Sequence, residues 1–122
     1  MNKPDVGPIP DAPASELLIE DIVEGGGQEA KAGDFVSVHY VGVAQSTGKE
    51  FDASYNRGEA FGFRVAGQQV IQGWDEGVAG MKVGGRRRLV IPPHMGYGAR
   101  GAAGAIKPNE TLIFLVDLLE VH

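Results

Sequence analysis

Cysteine is absent from the 122 residues, which excludes disulfides, thiolate nucleophiles and cysteine metal sites and fits a reducing compartment. Positive charge is in the minority, 11 Lys and Arg against 16 Asp and Glu for a net charge of -5. Nucleic-acid binding driven by bulk charge needs a basic face and is therefore not expected. No apolar run reaches membrane-spanning length, and the first 16 residues lack the apolar core of a signal peptide. The expectation is a cytoplasmic protein with neither a membrane nor a nucleic-acid partner. No Gly-x-Ser-x-Gly elbow is present. His39, His94 and His122 lack metal-ligand spacing and read as ordinary surface or strand histidines.

What is present is a chain sized for one domain with one modest core, 43% hydrophobic and 22% charged, with 19 glycines that point to many tight turns. Four of the seven prolines (Pro4, Pro8, Pro10, Pro13) fall within residues 1–15. That favours an extended, flexible N-terminal arm ahead of a domain spanning residues 16–122.

The one convincing amphipathic helix lies in residues 70–81, where Val70 or Ile71, Trp74, Val78 and Met81 recur at helical spacing. Gly73, Gly77 and Gly80 each cost about 1 kcal/mol relative to alanine, so the segment is helical only if packed. Gly73 and Gly77, one turn apart, would let a sheet come close. Asp75 and Glu76 suit the positive end of so short a helix.

Strands are expected over residues 17–24, 34–44, around Glu50-Phe51-Asp52, over 61–65, 86–91 and 111–121. In 34–44, Val36, Val38 and Tyr40 share a face. The last strand is apolar on both faces and therefore central. Residues 92–110 form a connection long enough to suggest a functional loop. Together these give an α+β domain, a curled antiparallel sheet around one short helix. Arg86-Arg87-Arg88 would alternate between faces and reads as a solvated strand end. Gly77-x-x-Gly80 and Gly96-x-Gly98-x-x-Gly101 read as backbone turns, because neither sits between a strand and a helix.

Tyr40, Phe51, Phe61, Phe63, Trp74, Tyr97 and Phe114 come from nearly every element. A core accounts for most of them. Two tyrosine hydroxyls, and Asp52 beside an aromatic, are awkward for a plain core because buried polar groups need partners. Arg57 is an ion-pair candidate for Asp52. On pattern alone, plain core and half-open aromatic pocket both stand.

Val38-His39-Tyr40-Val41-Gly42, Gly48-Lys49-Glu50-Phe51-Asp52-Ala53-Ser54, Val70-Ile71-Gln72-Gly73-Trp74-Asp75-Glu76-Gly77, Tyr97-Gly98-Ala99 and Thr111-Leu112-Ile113-Phe114 resemble the FKBP-type peptidyl-prolyl cis-trans isomerases, in order and with nearly the family's spacing. The likeness runs from about Leu17 onward and is to a single-domain bacterial member. It implies an enzyme that rotates X-Pro bonds during protein folding and binds macrolides such as rapamycin and tacrolimus; a non-catalytic binding or chaperone module using the same pocket is the alternative. The implied ligand-binding residues are Tyr40, Phe51, Asp52, Arg57, Phe61, Gln69, Val70, Ile71, Trp74, Gly96, Tyr97, Ile106 and Phe114, with Asp52, Tyr97, Phe51 and Trp74 at the catalytic centre. No cofactor is implied. The partners would be proline-containing polypeptides, bound by a monomer. Small residues at Ala102, Ala103 and Ala105, Gln69 where glutamate is frequent, and Gly96 for a common alanine depart from the family pattern. The Ser46-Thr47 hairpin is one residue longer than in the shortest relatives.

Overall fold

The computed structural model describes residues 3–122. Its strands are β1 (Leu18–Val23), β2 (Phe35–Ala44), β3 (Glu50–Ala53), β4 (Phe61–Arg64), β5 (Arg86–Ile91) and β6 (Leu112–Val121). They form one antiparallel sheet in the order β1-β5-β6-β2-β3. β4 pairs with the first half of β2 and β3 with the second half. The most apolar strand, β6, lies between β5 and β2, where a strand buried on both faces belongs.

Two short helices were built from different signals. The expected amphipathic one is α2 (Gln72–Gly77), six residues where the apolar period suggested about twelve. The chain goes on in turns and reaches Gly80 at φ +91°, which helical geometry forbids. The other, α1 (Ser54–Arg57), is a single turn with no apolar period to announce it. A further 3₁₀ turn, Pro93–Met95, starts the long connection.

Alternation sorts the sheet into two faces. Val36, Val38, Leu89, Ile91, Leu112, Val116 and Leu118 turn toward α2 and pack with Trp74, Val78 and Met81. Trp74 is only 4% exposed. Burying an indole of roughly 150–250 Å² at about 25 cal/mol per Å² gives up to about 4–6 kcal/mol. That exceeds the roughly 2 kcal/mol cost of Gly73 and Gly77 in the helix. The glycines also set the distance: a Cβ on Gly73 would fall 2.6 Å from Ile91 Cγ2, and one on Gly77 2.7 Å from Leu89 Cδ1.

The opposite face carries Val41, Val43, Ala53, Val90, Ile113 and Leu115, and the proline-rich segment lies across it. That segment forms no helix or strand over residues 3–15. Val6 is nonetheless buried on this face, with Ile9 and Ala14 packed beside it. Arg88 donates from Nε to the Val6 carbonyl at 2.9 Å and also to the Pro8 carbonyl. Gln45 Nε2 donates to the Pro10 carbonyl at 2.8 Å, and the Ala14 amide to Thr111 Oγ1 at 3.0 Å.

The arginine run differs from a solvated strand end. Arg86 holds Asp117 at 2.7 Å and Arg88 holds the arm. Arg87, on the helix side, donates to the carbonyls of Gly77 and Ala79 at 2.9 and 3.0 Å. A cation there satisfies orphan carbonyls at the negative end of α2.

Candidate active site

A cavity of about 280 Å³ opens beside the N-terminus of α2, lined by Tyr40, Phe51, Asp52, Phe61, Gln69, Val70, Ile71, Trp74, Tyr97 and Phe114. Each arrives from a different constraint. Tyr40 and Phe114 are on the helix-facing side of β2 and β6; Phe61 begins β4; Trp74 projects from the first turn of α2. The tryptophan ring stands nearly perpendicular to its neighbours, at 81° to Tyr40, 78° to Phe61 and 85° to Phe114, with centroids 4.9–5.9 Å apart. Edge-to-face packing of this kind adds about 0.5–1.5 kcal/mol per pair beyond area burial. Its Nε1 is buried and has no hydrogen-bond partner among the described residues.

Two glycine-scale approaches shape the walls. A Cβ on Gly42 would lie 2.7 Å from both Phe114 Cε1 and Phe51 Cζ. On β3, the ladder pairs Gly42 with Asp52 and Val43 with Glu50, leaving Phe51 as the extra residue of a bulge. The bulge breaks the alternation of side chains, so Phe51 and Asp52 both reach the cavity.

Asp52 is the centre of a polar triad. The Tyr40 hydroxyl donates to Asp52 Oδ2 at 2.5 Å, Arg57 Nη1 donates to Oδ1 at 2.8 Å, and Arg57 Nη2 donates to the Tyr40 hydroxyl at 2.9 Å. Burial alone would raise the Asp52 carboxyl, but the donors from Tyr40 and Arg57 together outweigh it and hold the group below its ordinary value of 3.8. Burial and the bond to Asp52 push Tyr40 up; burial and the nearby charge of Asp52 push Tyr97 up. Both phenols therefore stay protonated donors at neutral pH.

Behind the triad, where β3 passes into α1, the buried Ser54 hydroxyl accepts the Tyr40 amide at 2.7 Å and shares a hydrogen bond with His39 Nδ1 at 2.8 Å. The His39 ring stacks on Tyr55 at 4.5 Å. α1 is thus pinned at its start to β2 and at its end, through Arg57, to Asp52. These contacts carry no sequence signal, because a serine between a strand and a single turn matches no period or spacing.

The loop entering α2 is set by side chains as well. Ala66 and Gln68 both have φ of 60°, and Asp75 accepts their amides at 3.0 and 3.1 Å. Gln69 accepts the Arg64 amide on its side-chain Oε1 at 2.9 Å. At the rim the Ile71 amide donates to no protein acceptor among the described residues, while its carbonyl accepts from Trp74 and Asp75. The Tyr97 side of the cavity is open, with that residue 42% exposed.

Of the thirteen residues expected to bind ligand, ten line the cavity. Arg57 stands one contact behind, through Asp52 and Tyr40. Ile106 is buried in the same core cluster, and Gly96 packs beneath, where a Cβ would lie 3.2 Å from Leu112 Cδ1. Among the described residues no group of three or more His, Asp or Glu side chains could hold a metal ion.

Comparison with known proteins places this geometry. Residues 26–119 match the family model described as FKBP-type peptidyl-prolyl cis-trans isomerase. The chain is 58% identical over 122 residues to an FK506-binding protein of Streptomyces anulatus, covering 99% of this chain and 98% of that one. It is 52% identical over 106 residues to an FK506-binding protein of Neisseria meningitidis serogroup A, covering 87% and 96% respectively. Among solved structures, AtFKBP13 superposes with a TM-score of 0.80 at 39% identity, over 87% of this chain and 93% of that one. FkpA from Escherichia coli does so with a TM-score of 0.78 at 47% identity, over 86% and 47%. A curled antiparallel sheet over a short helix, an aromatic cavity at the helix N-terminus and this degree of identity over nearly the whole chain together establish that the protein is an enzyme of the FKBP-type peptidyl-prolyl cis-trans isomerase family.

Proposed function

We propose that this isomerase acts on X-Pro bonds of unfolded chains and exposed loops, with the proline ring seated on Trp74 between Phe61 and Phe114. The observation that carries the assignment is the convergence of Tyr40, Phe51, Phe61, Trp74, Tyr97 and Phe114 on one cavity with unspent donors at its rim. The Ile71 amide and the Tyr97 hydroxyl are the donors to substrate carbonyls. Tyr40 and Phe51 flank the reacting carbonyl, and Asp52, held by Tyr40 and Arg57, fixes that wall.

Rotation about an X-Pro bond is resisted by amide resonance, with a barrier of about 18–20 kcal/mol. Twisting removes the resonance and makes the carbonyl less polar than in the planar amide. An aromatic, water-poor cavity therefore favours the twisted state over the planar one, which is preferential binding of the transition state. Fixed donors that fit only the twisted geometry add to that preference, and each 1.36 kcal/mol gained is about tenfold in rate. The reaction needs no nucleophile and no cofactor.

The same cavity takes macrolides such as rapamycin and tacrolimus, which compete with the proline substrate. The setting is a cytoplasmic monomer that assists folding. Exchange NMR on a proline-containing peptide, with and without rapamycin, tests the reading: acceleration abolished by the macrolide is expected. Macrolide binding without acceleration would overturn catalysis and leave a proline-binding module.

A further inference from the structure

A second groove, of about 350 Å³, adjoins the aromatic cavity, and Phe51 lines both. Its walls are the hairpin between β2 and β3, with Ala44, Thr47, Lys49 and Glu50, and the long connection, with Gly104, Ala105, Lys107 and Glu110. Gly104 and Ala105 extend no side chain beyond Cβ, which keeps the groove open on that side.

The four charges are not equivalent. Glu50 is engaged by Lys3 Nζ at 3.0 Å and by Asn56 Nδ2 at 2.9 Å. Glu110 is buried and accepts the Ser46 amide at 2.9 Å and the Ser46 hydroxyl at 2.5 Å. Glu50 thus ties the start of β3 to the N-terminal arm and to α1, and Glu110 ties the long connection to the hairpin. The ammonium groups of Lys49 and Lys107, on opposite walls and exposed, have no ion-pair partner among the described residues. In a protein of net charge -5, two cations thus line one groove, neither of them paired with a carboxylate among the described residues.

We infer that the groove is a substrate subsite selecting a carboxylate, an Asp or Glu side chain of the substrate that lies a few residues from the proline seated on Trp74. The inference rests on the proposed seating of proline in the adjoining cavity. A chain leaving that cavity across Phe51 enters the groove directly. A carboxylate there meets both ammonium groups, while a lysine meets like charge and an uncharged isostere leaves them unpaired.

Peptides with one X-Pro bond and Glu, Gln or Lys at each position up to four residues on either side test this, with turnover followed by exchange NMR and binding by Trp74 fluorescence. At one or more positions on one side, Glu is expected to exceed Gln by about three- to tenfold in kcat/KM and in affinity, as for two partly exposed ion pairs. The advantage should shrink between about 20 and 300 mM salt as screening sets in. In a Lys49→Gln, Lys107→Gln double variant it should vanish, and in Lys49→Glu, Lys107→Glu it should pass to the Lys peptide, each variant being referred to its own Gln peptide. Equal handling of Glu and Gln at every position, or a Glu preference that survives loss of both lysines, would overturn the subsite. Glu-selective binding without turnover of any peptide would sustain it while counting against the catalytic reading.

Discussion

Phe51 and Asp52 are consecutive residues on one strand, yet both line the cavity. The bulge opposite Gly42 and Val43 is the cause, since regular pleating would send one of the two to the other face. An apolar wall and a fixed carboxylate are therefore delivered to the same point by two adjacent positions. Asp52→Asn keeps the shape but weakens the hold of Arg57 and Tyr40. A drop of about three- to tenfold in kcat/KM is expected, the modest size reflecting a partly exposed pair. Unchanged turnover, with the thermal midpoint also unchanged, would show that the charge has no part in the reaction.

Activity is expected to be nearly flat from about pH 6 to 8, because no group in the cavity acts as general acid or base there. Asp52, held below 3.8, is ionised throughout, and Tyr40 and Tyr97, both raised above 10.0, stay protonated. The depressed Asp52 favours the folded state above its unfolded value. That contribution is lost as pH falls below about 3.8 through the folded value. Acid titration of stability should thus be shallower in Asp52→Asn below pH 4, while a steep bell-shaped rate profile near neutrality in the intact fold would contradict the mechanism.

Gly73→Ala places a methyl group 2.6 Å from Ile91 Cγ2. Overpacking of this kind costs about 1–3 kcal/mol, outweighing the roughly 1 kcal/mol gained in helix propensity. Chemical denaturation should show a net loss of stability. A gain would mean that α2 can move off the sheet without penalty.

The proline-rich arm is expected to act as a structural cover. Val6→Ala removes a side chain that is 7% exposed on the outer face of the sheet and should cost about 1–3 kcal/mol, with little effect on peptide turnover. Arg88→Ala should loosen the same segment, which is measurable as faster amide exchange around Val6 and Ile9. An arm that contributes nothing would leave both readings at their wild-type values.

Much of the fold was legible because alternation and helical spacing are local. Val36, Val38 and Tyr40 turned to one face and Val41 to the other, and β6 lay at the centre as its two apolar faces required. The helix was shorter than its period: it ends at Gly77, and the turns that follow reach Gly80 at φ +91°, a backbone state no helix continues through. α1 left no trace, because one turn of helix is stabilised by Ser54 and Arg57 reaching other elements and not by its own pattern. The arginines misled for a related reason. A charge reads as solvated until the carbonyls it will cap, those of Gly77, Ala79 and Val6, are known to be near.

The sequence by itself determined the single domain, the strand faces, the packed helix around Trp74 and, through its motifs, the family. These follow from residue type and spacing along the chain. Only the tertiary structure decided that the aromatics leave a cavity where they could have closed into a core. It also decided that Phe51 and Asp52 share a face, and that the proline-rich segment covers the outer sheet. Those outcomes depend on a bulge, on backbone approaches at Gly42 and Gly73, and on hydrogen bonds between residues as far apart as Arg88 and Val6. They are relations across space, which local periodicity does not encode.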